Sequence, residues 1–228
     1  MRLFALLIFV SLLSACASMP ERHAQQDVDE EAIEAHQLSL SAIETWEFQS
    51  RMAFVDHQEN ARQSASLRWQ NAADTRALRI SHPLRGTLAR IEETADYALL
   101  TDHQGNEFLA SDIESLLMVH LNVFLPIELI HDALLGRLPQ TRIINPEYYA
   151  DGTLAAYQVD IEDQHWQSGQ QRAQTTSWQV ELDRYQEAVN LAVRLPHQLE
   201  LNSADYQIRL SISRWTIDQP VALDASDE

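Results

Sequence analysis

Residues 206–215 read YQIRLSISRW, and the alternation in that stretch decides the fold class. Tyr206, Ile208, Leu210 and Ile212 fall on one side of an extended chain, with Gln207, Arg209 and Ser211 on the other. A period of two is the signature of a strand with one dry face and one wet face. The same pattern recurs upstream. Trp46, Phe48, Met52 and Phe54 alternate with Glu47, Gln49 and Arg51; Ala65, Leu67 and Trp69 with Ser64, Ser66 and Arg68; Trp178, Val180 and Leu182 with Gln179, Glu181 and Asp183. One-sided strands belong to antiparallel sheets, whereas a parallel sheet covered on both faces would show continuous apolar runs. The expected class is therefore mainly β and antiparallel.

Between the strands the period changes. Ile113, Leu116, Leu117 and Leu121 recur at helical intervals, and Ser111 with Glu114 has capping-box spacing. Pro126 suits a first helical position, Ile127, Ile130 and Leu134 continue an apolar stripe, and Gly136 suits the cap beyond it. Two short helices thus interrupt a meander of roughly ten strands, a sheet large enough to curl, and they are the natural cover for its concave apolar face. A further helix is expected through residues 30–46, with Ile33, Leu38 and Ile43 as its stripe. The pattern alone is compatible with a filled core and with a ligand cavity.

The chain has 228 residues, a size suited to one domain plus appendages. Its 34 acidic and 16 basic residues give a formal charge of −18, which repels phosphate backbones, so nucleic acid is not an expected partner. Every basic side chain other than histidine is an arginine. The single cysteine, Cys16, leaves no route to an internal disulfide or a cysteine-based zinc site.

Cys16 closes a different kind of motif. Arg2 precedes an apolar run from Leu3 to Leu13, too short to span a bilayer, which takes about 20 residues. Leu13-Ser14-Ala15-Cys16 resembles the bacterial lipobox, in which the cysteine thiol takes a diacylglyceryl group, the preceding peptide is removed and the new amino terminus is acylated. Residues 1–15 are then a lipoprotein signal peptide, and residues 16–30 an acylated N-terminus with a polar, acidic tether. Three acyl chains at about 0.8 kcal/mol per buried methylene would hold the chain on a membrane. Ala17 stands where an aspartate would signal inner-membrane retention in enterobacterial lipoproteins, so the expected address is the outer membrane.

No enzymatic motif emerges. There is no G-x-S-x-G elbow, no glycine-rich phosphate loop and no H-E-x-x-H helix. His103, His120, His131 and His165 form no pair at metal-ligand spacing, and Asp102 belongs to a turn, TDHQGNE, in which Asp and Gly have backbone roles. The expectation is a non-enzyme without cofactor or metal. One feature is out of place: the turn in residues 81–87, SHPLRGT, carries the large apolar Leu84 between Pro83 and Arg85, where turns favour Gly, Asn, Asp and Ser.

The order of pieces from Trp46 to Trp215 resembles the LolB family of outer-membrane lipoproteins. The matching pieces are Trp46 with Arg51 and Ala53, SASLRW ending at Trp69, HPLRG at 82–86, Gly105 before FLASDIESLL, and the Leu125-Pro126 pair. Further on come LLGRLP at 134–139, SWQVELDRY at 177–185, the Leu195-Pro196 pair and RLSISRW ending at Trp215. The family usually has Gly, Gly and Trp where this chain has Ser50, Arg85 and Ala133.

The resemblance implies an incomplete, half-open antiparallel β-barrel of about eleven strands, with the helical insert over an apolar cavity for acyl chains, and it assigns residues 31–228 to the lipoprotein-binding domain. It implies a receptor facing the periplasm that takes triacylated lipoproteins from the soluble carrier LolA and inserts them in the inner leaflet of the outer membrane, acting as a monomer. Leu84, with Pro83 beside it, matches the leucine that the family displays on a membrane-insertion loop. Cavity candidates are the inward sets on the strands, Phe48, Met52, Phe54, Leu67, Trp69, Tyr206, Ile208 and Leu210, with Leu117, Leu121 and Ile130 from the insert. Arg79, Arg85 and Arg90 around the turn form the candidate patch for docking the carrier. The competing reading is a lipid-anchored protein that binds a small lipid or free fatty acid.

Overall fold

The computed structural model describes residues 28–121, 124–167, 170–188 and 193–218, with the side chains of residues 121, 163–167, 170–174 and 218 outside the description. Cys16 and the lipobox therefore lie outside the described residues, as does the side chain of Leu121.

The alternating segments pair into one antiparallel sheet. Helix α1 (Glu30–Ser41) leads into β1 (Thr45–Asp56), β2 (Ala61–Ala72), β3 (Thr75–His82), β4 (Gly86–Thr94), β5 (Ala98–Asp102) and β6 (Glu107–Ala110). Helices α2 (Ile113–Leu121) and α3 (Ile127–Leu135) follow, then β7 (Ile143–Tyr148), β8 (Leu154–Gln167), β9 (Gln170–Asp183), the short pair β10 (Gln186–Glu187) and β11 (Arg194–Leu195), β12 (Gln198–Asn202) and β13 (Tyr206–Asp218). The main sheet has eleven strands in the order β6-β5-β4-β3-β2-β1-β13-β12-β9-β8-β7. Its first half is a simple meander; the chain then crosses to the opposite edge and meanders back until β13 pairs with β1. The two edge strands, β6 and β7, do not pair with each other, so the barrel is open, as expected from the sequence. The crossing between those edges is made by α2 and α3, which places the helical insert at the opening.

The period of two places the core. Along β1, Trp46, Phe48 and Ser50 are buried, while Arg51 and Ala53 are exposed; Leu67 and Trp69 on β2, and Ile208, Leu210 and Ile212 on β13, face the same side. The cluster is completed by Ile113, Leu116 and Leu117 of α2 and by Ile127, Ile130 and Leu134 of α3. A β-bulge between Gln49 and Ser50 shifts the register of β1 against β13, and Ser50, where the family usually has Gly, lies buried at that bulge.

Local readings of the helices needed three corrections. Leu38 is 73% exposed and the core residue of α1 is Leu40, because the helix ends at Ser41 and Ile43 packs from the segment beyond it. Ser111 and Glu114 do not form a capping box: the Asp112 carboxylate accepts from Ser115 N–H at 2.7 Å, and Glu114 reaches forward to Ile127 N–H, also at 2.7 Å, thereby capping α3. Pro126 is the N-cap residue rather than the first helical one. Gly136, with φ 76°, closes α3 in the left-handed conformation as read.

α1 is tied down at its C-terminal end. The Arg137 guanidinium donates to the carbonyls of Leu40 and Ile43, and Gln37 donates to Gly136 O while accepting from Leu138 N–H. These bonds fix the entry to β1 against the end of α3.

Candidate functional site: an apolar concave face and its leucine loop

The concave face has a closed end and an open end. At the closed end Trp46 lies at 5.9 Å from Phe48 with ring planes 19° apart, at 5.9 Å from Trp69 and at 5.7 Å edge-on to Trp215, while His131 of α3 covers it at 5.4 Å. Aromatic groupings of this kind add about 0.5–1.5 kcal/mol per pair beyond burial. At the other end the inward side chains Met52, Phe54, Ile80 and Tyr206 are only half-buried, and Phe54 stacks on Tyr206 at 5.6 Å.

Of the residues expected to line the interior, Phe48, Leu67, Trp69, Leu117, Ile130, Ile208 and Leu210 are buried, and Met52, Phe54 and Tyr206 form the open rim. All ten of these belong to one concave side or pack on it. Sequence reasoning left out Tyr157, Trp178 and His131, which join the same interior from β8, β9 and α3. Both strands carry the local signal: Trp178 alternates with Gln179, and Tyr157, Val159 and Ile161 alternate with Gln158, Asp160 and Glu162.

The interior holds polar donors without acceptors. Among the described residues, the indole N–H groups of Trp46, Trp69 and Trp178 and the hydroxyl of Tyr157 have no hydrogen-bond partner, although none of these residues is more than 2% exposed. Elsewhere the same atom types are satisfied: Trp215 Nε1 donates to Pro196 O at 3.0 Å, and Tyr185 O–H donates to Leu154 O at 2.8 Å. An unsatisfied buried donor costs about 1–3 kcal/mol. Burial, reinforced by the nearby Asp132 charge, pushes the Tyr157 phenol well above its ordinary range, so it remains a donor.

The open rim and the leucine turn share one end of the sheet. Phe54 is level with Gln63, and the pairing of Ser66 with Ser81 carries that level to Leu84, three residues beyond each partner. Leu84 is 90% exposed and does not fold back on the rim. The turn holds itself: Arg85 N–H donates to His82 O at 3.2 Å, Leu84 N–H reaches His82 Nδ1 at 3.2 Å, and Gly86 takes φ 72°. Gly86 thus supplies the left-handed residue that the family's usual glycine, replaced here by Arg85, would otherwise offer. Pro83 presets φ beside the leucine. The turn is held by these bonds with the Leu84 side chain left in solvent.

Among the described residues no group of three His, Cys, Asp or Glu side chains could hold a metal ion, and no helix is long and apolar enough to cross a membrane.

Residues 44–215 match the family model described as "Outer membrane lipoprotein LolB". The chain is 24% identical over 213 residues to the outer-membrane lipoprotein LolB of Psychromonas ingrahamii, covering 93% of this chain and 95% of that one. It is 26% identical over 216 residues to the LolB of Vibrio cholerae, with 95% and 96% covered, and 29% identical over 213 residues to that of Ectopseudomonas mendocina, with 92% and 95% covered. Among solved structures, a LolA-superfamily protein from Nitrosomonas europaea covers 85% of this chain and 96% of its own at a TM-score of 0.47 and 6% identity. LprF from Mycobacterium bovis covers 84% and 95% at 0.38 and 9%. With three quarters of the chain matched by the family model and the open eleven-stranded sheet in place, the chain belongs to the LolB family of outer-membrane lipoproteins, factors of lipoprotein localisation.

Proposed function

We propose that this protein accepts lipoproteins from a soluble LolA-like periplasmic carrier, holds their acyl chains on the concave face and passes them into the inner leaflet of the outer membrane. One observation carries the reading: the half-open end of the apolar interior stands level with an exposed leucine whose turn is braced by its own hydrogen bonds. Cargo leaving that end would emerge beside Leu84. Fully burying a leucine in lipid is worth about 1.5–3 kcal/mol, enough to bias a tethered domain toward the bilayer and little enough to let it leave.

In this reading Cys16 is the acylated anchor, residues 1–15 are removed on processing, and the tether lets the domain reach both carrier and membrane. Transfer needs no covalent step or nucleotide. Acyl chains move to the site that removes more of their surface from water or fits them better. The orphan donors of Trp46, Trp69, Trp178 and Tyr157 add a polar reward, since the ester and amide carbonyls of an acylated cysteine are acceptors that a plain hydrocarbon lacks.

The test mixes the processed chain, with Cys16 replaced, with carrier loaded with a triacylated lipoprotein, and follows cargo by pull-down and then into liposomes. Wild type and Leu84→Glu should both take the cargo, and only wild type should deliver it. Cargo that stays on the carrier while free fatty acid is bound would instead establish the small-lipid reading.

A further inference from the structure

The outward face of the sheet carries a feature the function above does not use. Cross-strand register places Arg68 of β2 opposite Arg79 of β3, and Arg79 opposite Arg90 of β4, so three arginines stand in one row across three adjacent strands. Like charges directly opposite one another repel. Among the described residues only Arg68 of the three is neutralised, by Glu47 at 2.7 Å. Arg79 donates to the Thr87 hydroxyl at 2.7 and 3.1 Å, and among the described residues no carboxylate oxygen lies within 4 Å of Arg51, Arg79 or Arg90. A groove of about 660 Å³ runs along this face, lined by Arg51, Arg68, Arg79 and Arg184 with His197, and no acidic side chain among the described residues lines it. In a chain with 34 acidic residues against 16 basic ones, that is a local reversal of sign.

We propose that this arginine ladder binds the phosphate groups of membrane lipids, giving the domain a headgroup-docking face beside its leucine loop. Guanidinium forks match phosphate oxygens and are less strongly hydrated than lysine ammonium groups. The position favours a bilayer. Leu84 is five residues from Arg79, about 17 Å of extended chain. Arg51 stands level with Ser81, between the ladder and the turn, and Arg85 is in the turn itself. With Leu84 in the acyl region and β3 inclined to the surface, these arginines approach the phosphate plane. The chain's overall negative charge does not prevent this, because at physiological ionic strength charges beyond about 8 Å are largely screened and the local patch governs.

The inference rests on the membrane-delivery reading for its geometry, and the test separates the two. Residues 17–228 contain every core residue among those described and are the protein to use. Binding is measured to phosphatidylcholine vesicles and to the same vesicles with phosphatidylglycerol mixed in. Phosphatidylglycerol should tighten wild-type binding, and Arg79→Gln with Arg90→Gln should erase about twentyfold of that gain, at about fivefold per arginine. The gain should also vanish at high salt, and the double variant should melt no lower than wild type, since it loses a repulsion. Leu84→Glu should weaken binding to both vesicle types alike and leave the phosphatidylglycerol gain intact. No effect of Leu84→Glu, with the arginine-dependent gain present, would sink the insertion loop and keep the ladder.

An unchanged gain in the double variant overturns the proposal. So does a rise in wild-type melting temperature with inorganic phosphate, lost in the double variant, if vesicles give no gain, because the site then serves a soluble anion. Loss of capture of the loaded carrier in the double variant, with the lipid gain intact, would assign the ladder to a protein instead.

Discussion

At Gly152 the backbone has φ 79°, and a Cβ there would stand 2.5 Å from the backbone carbon and oxygen of Ala32 in α1. The bare Cα lets α1 lie directly on the turn between β7 and β8. Gly152→Ala should therefore destabilise by about 2–5 kcal/mol, combining a left-handed alanine with a backbone clash, as denaturant melts would show. Tyr157→Phe should do the opposite. It removes a buried hydroxyl with no acceptor, so stability should hold or rise by about 1 kcal/mol, while affinity for an ester-bearing acyl ligand falls. Leu84→Glu touches a side chain with 90% of its surface in water, so thermal stability should change by no more than about 0.5 kcal/mol whatever happens to delivery.

The helical insert is pinned to the sheet along one line. The Glu93 carboxylate of β4 accepts Ile113 N–H at the start of α2, and Arg76 of β3 reaches both Glu93, at 3.3 Å, and Glu128 of α3, at 2.5 Å. Glu114 of α2 then caps α3 through Ile127 N–H. Arg76→Ala should release the first turn of α3, seen as faster amide exchange there while the sheet keeps its protection. Burial pushes the Glu114 carboxyl above its ordinary value of 4.5; the bond from Ile127 N–H opposes this, and the Asp112 and Glu128 charges add to it. The native state then holds the proton longer than the unfolded chain. Its contribution is fully present below about the ordinary value and is lost as pH rises through the raised one. Glu114→Gln keeps the acceptor oxygen without the charge, so it should melt higher than wild type at pH 7 and alike at pH 4.

Over the whole molecule, a charge of −18 opposes compaction, and the ion pairs visible on the outward face are mostly exposed and each worth about 0–1 kcal/mol. Stability should rise from low salt to about 1 M, where the Debye length is about 3 Å, because the net self-repulsion is screened more than the few exposed pairs are lost. A melting temperature that falls over that range would mean the pairs outweigh the net charge.

Much of this was legible in the chain itself, and the rest was not, for one physical reason. Side-chain alternation is a property of a single extended segment. It therefore identified the strands, the inward sets around Phe48, Trp69 and Leu210, and the oddity of a leucine in the turn at residue 84. Helical period and Gly136 located α2 and α3 in the same way. Partnership is a property of two distant segments. Which side of β1 receives β13, whether Ser111 or Asp112 caps α2, and why Leu40 rather than Leu38 is buried depend on groups brought close only by folding. The same holds for function. The sequence by itself determined the family and the presence of a leucine in the turn; tertiary structure alone decided that Leu84 stays exposed, that the half-open rim stands level with it, that four donors of the interior lie unmatched among the described residues, and that Arg68, Arg79 and Arg90 share one row. Register across strands, unlike alternation along one, is written nowhere in a single segment.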